Sequence, residues 1–157
     1  MSRAFLGLGS NEGDRLRLIS QAAQLLGQRP GICLRRMAPI IETEPVGGPP
    51  QGRYLNTVVE IETALAPREL LAAAQAIEAA LGRRRASERW TPRPIDVDVL
   101  LVDDVVMNET DLVIPHPRLH ERAFVLEPLA QLEPRLVHPT LKKTIEDLRD
   151  GVLCPEP

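Results

Sequence analysis

Aromatic rings are scarce in this chain of 157 residues: Phe5, Tyr54, Trp90 and Phe124 are the whole set. A sheet that stacks nucleic-acid bases needs rings clustered on its strands, and these four are scattered. Positive charge is also short. Lys and Arg number 19 against 22 Asp and Glu, a net charge of −3, whereas general nucleic-acid binders are usually basic. No nucleic-acid partner is expected. Only two cysteines occur, Cys33 and Cys154. That excludes a disulfide framework and makes a reducing cytoplasm the expected setting. No apolar run approaches the ~20 residues of a membrane span. The opening MSRAFLGLGSNEGD breaks at Gly and Asn too early for a secretory leader. The motifs GxxxxGK[ST], GxSxG and HExxH are all missing, and no Cys–His pairing suggests a covalent nucleophile.

Proline, by contrast, is abundant at 15 residues, grouped around 45–50, 92–94 and 115–117. Such groups read as long shaped loops. Between them the periodicity predicts regular elements. Ala4 to Leu8 reads as a strand, closed by a turn at Gly7-Leu8-Gly9-Ser10-Asn11. Residues 14–27 read as a helix, with Leu16, Ile19, Ala22, Ala23 and Leu26 at helical spacing and Gly27 as its stop. A strand is expected over 31–42. Tyr54 to Thr63 alternates as a strand, with Leu55, Thr57, Val59 and Ile61 on one face. Pro67 suits the first position of a second helix, with Leu70, Ala74, Ile77 and Leu81 as its stripe and Gly82 as its C′ residue.

A basic loop then leads to a strand from Ile95 to Val102. A hairpin over 105–114, a Pro-His-Pro corner, a helix from Glu121 to Leu132 and a short helix near 143–149 complete the chain. The order is β-α-β-β-α-β plus an extension. That is the split βαβ, ferredoxin-like α+β pattern, an antiparallel sheet with helices on one face. A single domain over 1–157 is expected, since no linker divides the chain and its length suits one core.

The sharpest chemical signal is Ile95-Asp96-Val97-Asp98-Val99. Strand alternation puts Asp96 and Asp98 on one face, about 6.6 Å apart by rise. Two bare carboxylates at that spacing repel by roughly 2.5 kcal/mol at an effective dielectric of ~20. Cations between them relieve this, and hard oxygen donors without Cys or His favour Mg²⁺ over Zn²⁺. The alternative is a strand-end pair that faces water or meets arginines. Immediately upstream, residues 83–93 carry five arginines and one glutamate. Arginine forks suit phosphate oxygens, although a charge run is often just a solvated loop. Together, arginines and acids supply both halves of a nucleotide-triphosphate site. Trp90 either stacks or anchors the loop. His116, fixed between Pro115 and Pro117, reads equally as a phosphate donor and as a structural histidine. His138 reads as structural, and Arg122 can reach an anion. A two-metal phosphodiesterase or a regulatory ligand-binding module stand as other readings.

Several segments together resemble the 6-hydroxymethyl-7,8-dihydropterin pyrophosphokinase family. They are Leu8-Gly9-Ser10-Asn11 with Gly13-Asp14, Tyr54-Leu55-Asn56, Gly82-Arg83 through Arg89-Trp90-x-Pro92-Arg93-x-Ile95-Asp96-x-Asp98, and Ile114-Pro115-His116-Pro117 with Arg122 and Phe124-Val125-Leu126. The resemblance runs from about Ala4 to Pro139. It implies transfer of pyrophosphate from ATP to the pterin's hydroxymethyl group in folate biosynthesis, with AMP released. It implies two Mg²⁺ ions held by Asp96 and Asp98, with Arg83 and Arg93 as catalytic cations. Gln75, Glu78, Trp90, Val99, His116 and Arg122 would form the ATP site. Thr43, Val46, Tyr54, Asn56 and Phe124 would line the pterin pocket. Small molecules would be the only partners, with no nucleic acid or membrane, and the chain would act as a monomer.

Overall fold

The computed structural model describes residues 1–43, 53–82 and 94–154. Its elements follow the expected order. They are β1 (Ser2–Ser10), α1 (Arg15–Gln28), β2 (Ile32–Met37), β3 (Ile41–Thr43), β4 (Tyr54–Thr63), α2 (Pro67–Gly82) and β5 (Asp96–Val102), then a hairpin of β6 (Met107–Glu109) and β7 (Leu112–Ile114). A 3₁₀ turn at Leu119–Glu121 precedes α3 (Ala123–Leu132), and α4 (Ile145–Leu153) closes the described chain. The main sheet is antiparallel, in the order β2-β4-β1-β5, with β3 continuing along β4. This is the ferredoxin-like arrangement.

Local signals explain most boundaries. Asp14 caps α1, its side chain accepting the Arg17 N–H at 3.2 Å. The strand expected over 31–42 is two strands, because Pro39 has no N–H to give the ladder. Ala38 makes the last bond before the break, donating to the Val58 carbonyl at 2.9 Å. Of the two glycines expected as helix stops, Gly82 is the last residue of α2, while Gly27 lies inside α1, which runs to Gln28. A Cβ on Gly27 would meet the Leu34 Cβ at 3.4 Å, and one on Gly82 would meet the Pro94 ring at 2.8 Å. At Gly82 the Pro94 ring leaves no room for a Cβ, whereas at Gly27 the Leu34 distance is that of ordinary packing. The helix expected from Glu121 starts at Ala123, since Arg122 is extended at φ −110°, ψ 104°.

Helices cover both faces of the sheet, which corrects the one-face expectation. On one face α1 and α2 bury Leu6, Leu8, Val59, Ile61 and Val97. On the other, α3 and α4 cover Phe5, Val58, Leu100 and Leu101. The extension is the cause: α3 and α4 carry apolar stripes of their own, and those stripes need a sheet face. β4 is accordingly buried on both sides, with Val58 and Val59 both at 0% exposure.

An ionic network fixes α3 at the end of the sheet away from Asp96. Glu60, on β4, is paired with Arg3 at 3.1 Å and Arg36 at 2.8 Å. Both arginines also reach Glu133, just past α3, at 2.6 Å and 3.2 Å. Burial alone would push the Glu60 carboxyl up, but the hydrogen bonds and charges of Arg3 and Arg36 hold it below 4.5. Glu133 is held low chiefly by its hydrogen bond to Arg3. Both groups therefore bind protons more weakly folded than unfolded. Their contribution is complete above pH 4.5, the ordinary value, and is lost as the pH falls below it through the depressed values. The urea midpoint should drop in that acid range, and Glu60→Gln should flatten the dependence. An unchanged slope in the variant would show that the network does not set acid stability.

Candidate active site

The register of three strands builds the site. Gly9 on β1 faces Asp96 on β5 and Asn56 on β4, and Gly7 faces Asp98 and Val58. Cross-strand partners point to the same side, so the two acids share the α3/α4 face. The two glycines add no side chains there, which leaves bare backbone as a floor. Over it opens a cavity of about 680 Å³. Both aspartates line it, with Thr43 of β3, Tyr54 and Asn56 of β4, Phe124 of α3, and Arg118, Glu121 and Arg122 from the segment just before α3.

The acid pair fits Mg²⁺. Among the described residues no group of three or more His, Cys, Asp or Glu gathers. A closed zinc centre needs such a set. Mg²⁺ is commonly held by one or two carboxylates, with water and substrate phosphates supplying the rest. Helix α2 fixes the backbone between the acids, because Glu78 accepts the Val97 N–H at 2.9 Å.

Residues expected to meet the pterin converge. Asn56 is 7% exposed, and its Nδ2 donates to the Thr43 hydroxyl at 2.7 Å. The Tyr54 phenol is pushed up, first by burial and then by the Asp96 charge, so it stays a neutral donor at physiological pH. The Arg122 guanidinium lies 5.5 Å from the centre of the Phe124 ring, a cation–π contact that holds both at the rim.

The residues expected at ATP are more dispersed. His116 does not line the cavity, but its N–H donates to the Leu100 carbonyl at 2.9 Å, tying the corner to β5. Its Nδ1 accepts the Arg118 N–H at 3.2 Å, which assigns the proton of the neutral ring to Nε2. Burial lowers its pKa most; Asp98 opposes this, and Arg122 and Arg118 reinforce it. Neutral His116 therefore offers an Nε2–H donor. Gln75 is exposed on α2, away from the cavity lining. Val99 is 6% exposed and belongs to the core under α1 and α2, so its side chain serves packing on the opposite face. Val46, Arg83, Trp90 and Arg93 lie outside the described residues. His138 is structural as expected, its Nδ1 accepting the Thr140 and Leu141 N–H groups.

The cavity also has members that the residue pattern did not single out. They include Gly7, Arg118, Glu121 and Val152 of α4. The glycines had a readable signal: their two-residue spacing matches the Asp-x-Asp spacing across the strand pair.

A ferredoxin-like α+β domain whose edge strand holds two acids in a cation-rimmed cleft has the build of a transferase acting on phosphate-bearing substrates. The comparison with known sequences is specific. The sequence model of the 7,8-dihydro-6-hydroxymethylpterin-pyrophosphokinase (HPPK) family matches residues 5–134, and the chain belongs to that family. It is 46% identical over 129 residues to 2-amino-4-hydroxy-6-hydroxymethyldihydropteridine pyrophosphokinase of Bacillus subtilis, covering 82% of this chain and 77% of that one. Identity to the protein of the same name from Methylorubrum extorquens is 45% over 137 residues, covering 87% and 86%. Among solved structures, a Plasmodium falciparum HPPK-DHPS triple mutant with SDX-DHP superposes with a TM-score of 0.77 at 16% identity. That match covers 96% of this chain and 44% of the longer one, and it speaks to the fold alone.

Proposed function

We infer that the cleft over Gly7 and Gly9 is where this chain performs the reaction of its family. That reaction moves pyrophosphate from ATP to the hydroxymethyl group of 6-hydroxymethyl-7,8-dihydropterin, a step of folate biosynthesis. The hydroxymethyl oxygen bonds to the β-phosphorus and releases its proton. The bond from that phosphorus to the oxygen bridging to the α-phosphate breaks, and AMP leaves with that oxygen. The observation that carries this reading is the single cavity holding Asp96 and Asp98 beside Thr43, Tyr54, Asn56 and Phe124.

Asp96 and Asp98 would hold two Mg²⁺ ions, whose charge would neutralise the triphosphate. Asn56 and Thr43 read the polar edge of the pterin, while Tyr54 and Phe124 enclose its rings. Arg122 meets the phosphates at the cavity rim, His116, which lies off the cavity lining, would offer its Nε2–H on the nucleotide side, and Glu78 sets the strand that carries the acids. Val46 completes the pterin side, and Gln75, Trp90 and the Val99 backbone the nucleotide side. Phosphoryl-type transfer needs positioning and charge stabilisation more than covalent chemistry, which suits a site without a nucleophile. The chain is read as one pyrophosphokinase domain, monomeric and cytoplasmic. Cys33 and Cys154 are both free thiols, which suits a reducing compartment.

Product analysis tests the reading. With Mg²⁺, AMP should form only when ATP and the pterin are both present. AMP formed without the pterin would favour a phosphodiesterase, and nucleotide binding without turnover a regulatory module. Arg83 and Arg93 act on the transferring phosphate in this scheme. Arg83→Ala and Arg93→Ala should each lower kcat by on the order of 10²-fold, the typical cost of one preorganised charge-stabilising donor. ATP affinity should change far less. A larger loss in ATP affinity than in kcat would reduce both residues to binding roles.

A further inference from the structure

Gly9 stands at the centre of the cleft floor, between Asp96 on one neighbouring strand and Asn56 on the other. Glycine is usually kept for a backbone conformation that other residues avoid. That reason does not apply here. Gly13 and Gly31 have positive φ, at 68° and 82°, while Gly9 lies in a regular strand with no such angle. The demand on Gly9 is for space. A Cβ there would lie 2.8 Å from Asn56 Oδ1, closer than the 3.0 Å that real Cβ atoms essentially never undercut. The next neighbour, the Leu55 carbonyl oxygen, is at 3.8 Å, and no Asp96 atom is among the three nearest. The compression would fall on one group, the Asn56 amide.

That amide has little freedom. Asn56 is 7% exposed, and one of its N–H donors is spent on the Thr43 hydroxyl at 2.7 Å. What remains is an acceptor, Oδ1, beside one donor. An adjacent acceptor and donor in a fixed plane suit the complementary donor and acceptor on the amide-like edge of a flat heterocycle. Displacing Oδ1 would break that pairing or the bond to Thr43.

We propose that Gly9 is a positioning residue for the pterin: by carrying no side chain it lets the Asn56 amide sit where it reads the edge of the heterocycle. The assignment rests on the function proposed above. It gives β1 a role in substrate choice as well as in the sheet.

Calorimetry of the pterin onto enzyme loaded with Mg²⁺ and a non-hydrolysable ATP analogue tests this, alongside KM for both substrates. Gly9→Ala should weaken the pterin about tenfold or more, the scale of a polar group left mispaired. Affinity for the ATP analogue should stay within about twofold. In an Asn56→Ala background, Gly9→Ala should change pterin affinity by no more than about twofold, because the group it acts through is gone. Equal losses in both backgrounds, equal losses for both ligands, or unchanged pterin affinity would each overturn the proposal. If Gly9→Ala does not fold, the double variant, free of the clash, should recover the native melt; failure to recover would overturn it as well. No pterin binding by the unsubstituted protein would overturn the functional reading, and this assignment with it.

Discussion

Asp96→Ala and Asp98→Ala should each lower turnover by on the order of a thousandfold or more and leave the fold intact. Metal-assisted charge stabilisation supplies several kcal/mol, and each ~1.4 kcal/mol is a factor of ten in rate. Either variant leaves half of an oxygen donor pair, and among the described residues no group of three or more His, Cys, Asp or Glu gathers to take its place. Stability should move little or rise. Each acid is only half-buried, and its removal relieves a repulsion of roughly 2.5 kcal/mol at an effective dielectric of ~20. The measurement pairs single-turnover kinetics with a thermal melt. Chelation should abolish native turnover, and added Mg²⁺ should restore it. Near-normal rates in either variant would remove the metal from the aspartates. A collapsed melt would mean that the acids hold β5 in place rather than a ligand.

The acid pair was legible because a strand has a period of two and the residues around the acids are apolar. No competing periodicity fits Asp-x-Asp within that run. The glycines opposite were harder. Gly7-Leu8-Gly9-Ser10-Asn11 contains the residues that usually end a strand, yet β1 continues to Ser10. The ladder to both neighbours outweighs the cost of glycine there, and the vacant face becomes the cleft. Gly27 misled in the same way: α1 runs one residue past it, since a glycine at a stop and a glycine inside a helix look identical in sequence.

The second covered face has a comparable explanation. Periodicity located α3 and α4 within a few residues, but an apolar stripe does not say which side of a sheet it meets. One clue lay in β4, where Val58 and Val59 are apolar at successive positions, as expected of a strand buried on both sides. Of the residues that the resemblance assigns to the pterin, Thr43, Tyr54, Asn56 and Phe124 line one cavity, and Val46 lies outside the described residues. Val99, assigned to ATP by resemblance, alternates away from Asp98, so its side chain enters the opposite core.

Phe5→Ala should be the most destabilising of the substitutions considered, at about 3–5 kcal/mol. The ring is 1% exposed in the core under α3 and α4, and the Arg3 guanidinium lies 5.1 Å from its centre. Truncation leaves a cavity beneath α3 and removes a support of the arginine that pairs with both Glu60 and Glu133. The loss would be a large share of the ~5–15 kcal/mol typical of a folded domain. It should be read as a lower urea midpoint at an unchanged m-value. β1 shows why this variant and the aspartate variants should differ so sharply. Along the cleft-side face, Arg3 and Phe5 fill the space beneath α3, while Gly7 and Gly9 leave it open. The strand builds core at one end and cleft at the other, with the acids beside the open end. Phe5→Ala should therefore cost stability while the protein that remains folded still turns over, whereas loss of either acid costs turnover alone. A Phe5→Ala protein of native stability whose turnover had vanished would contradict that division.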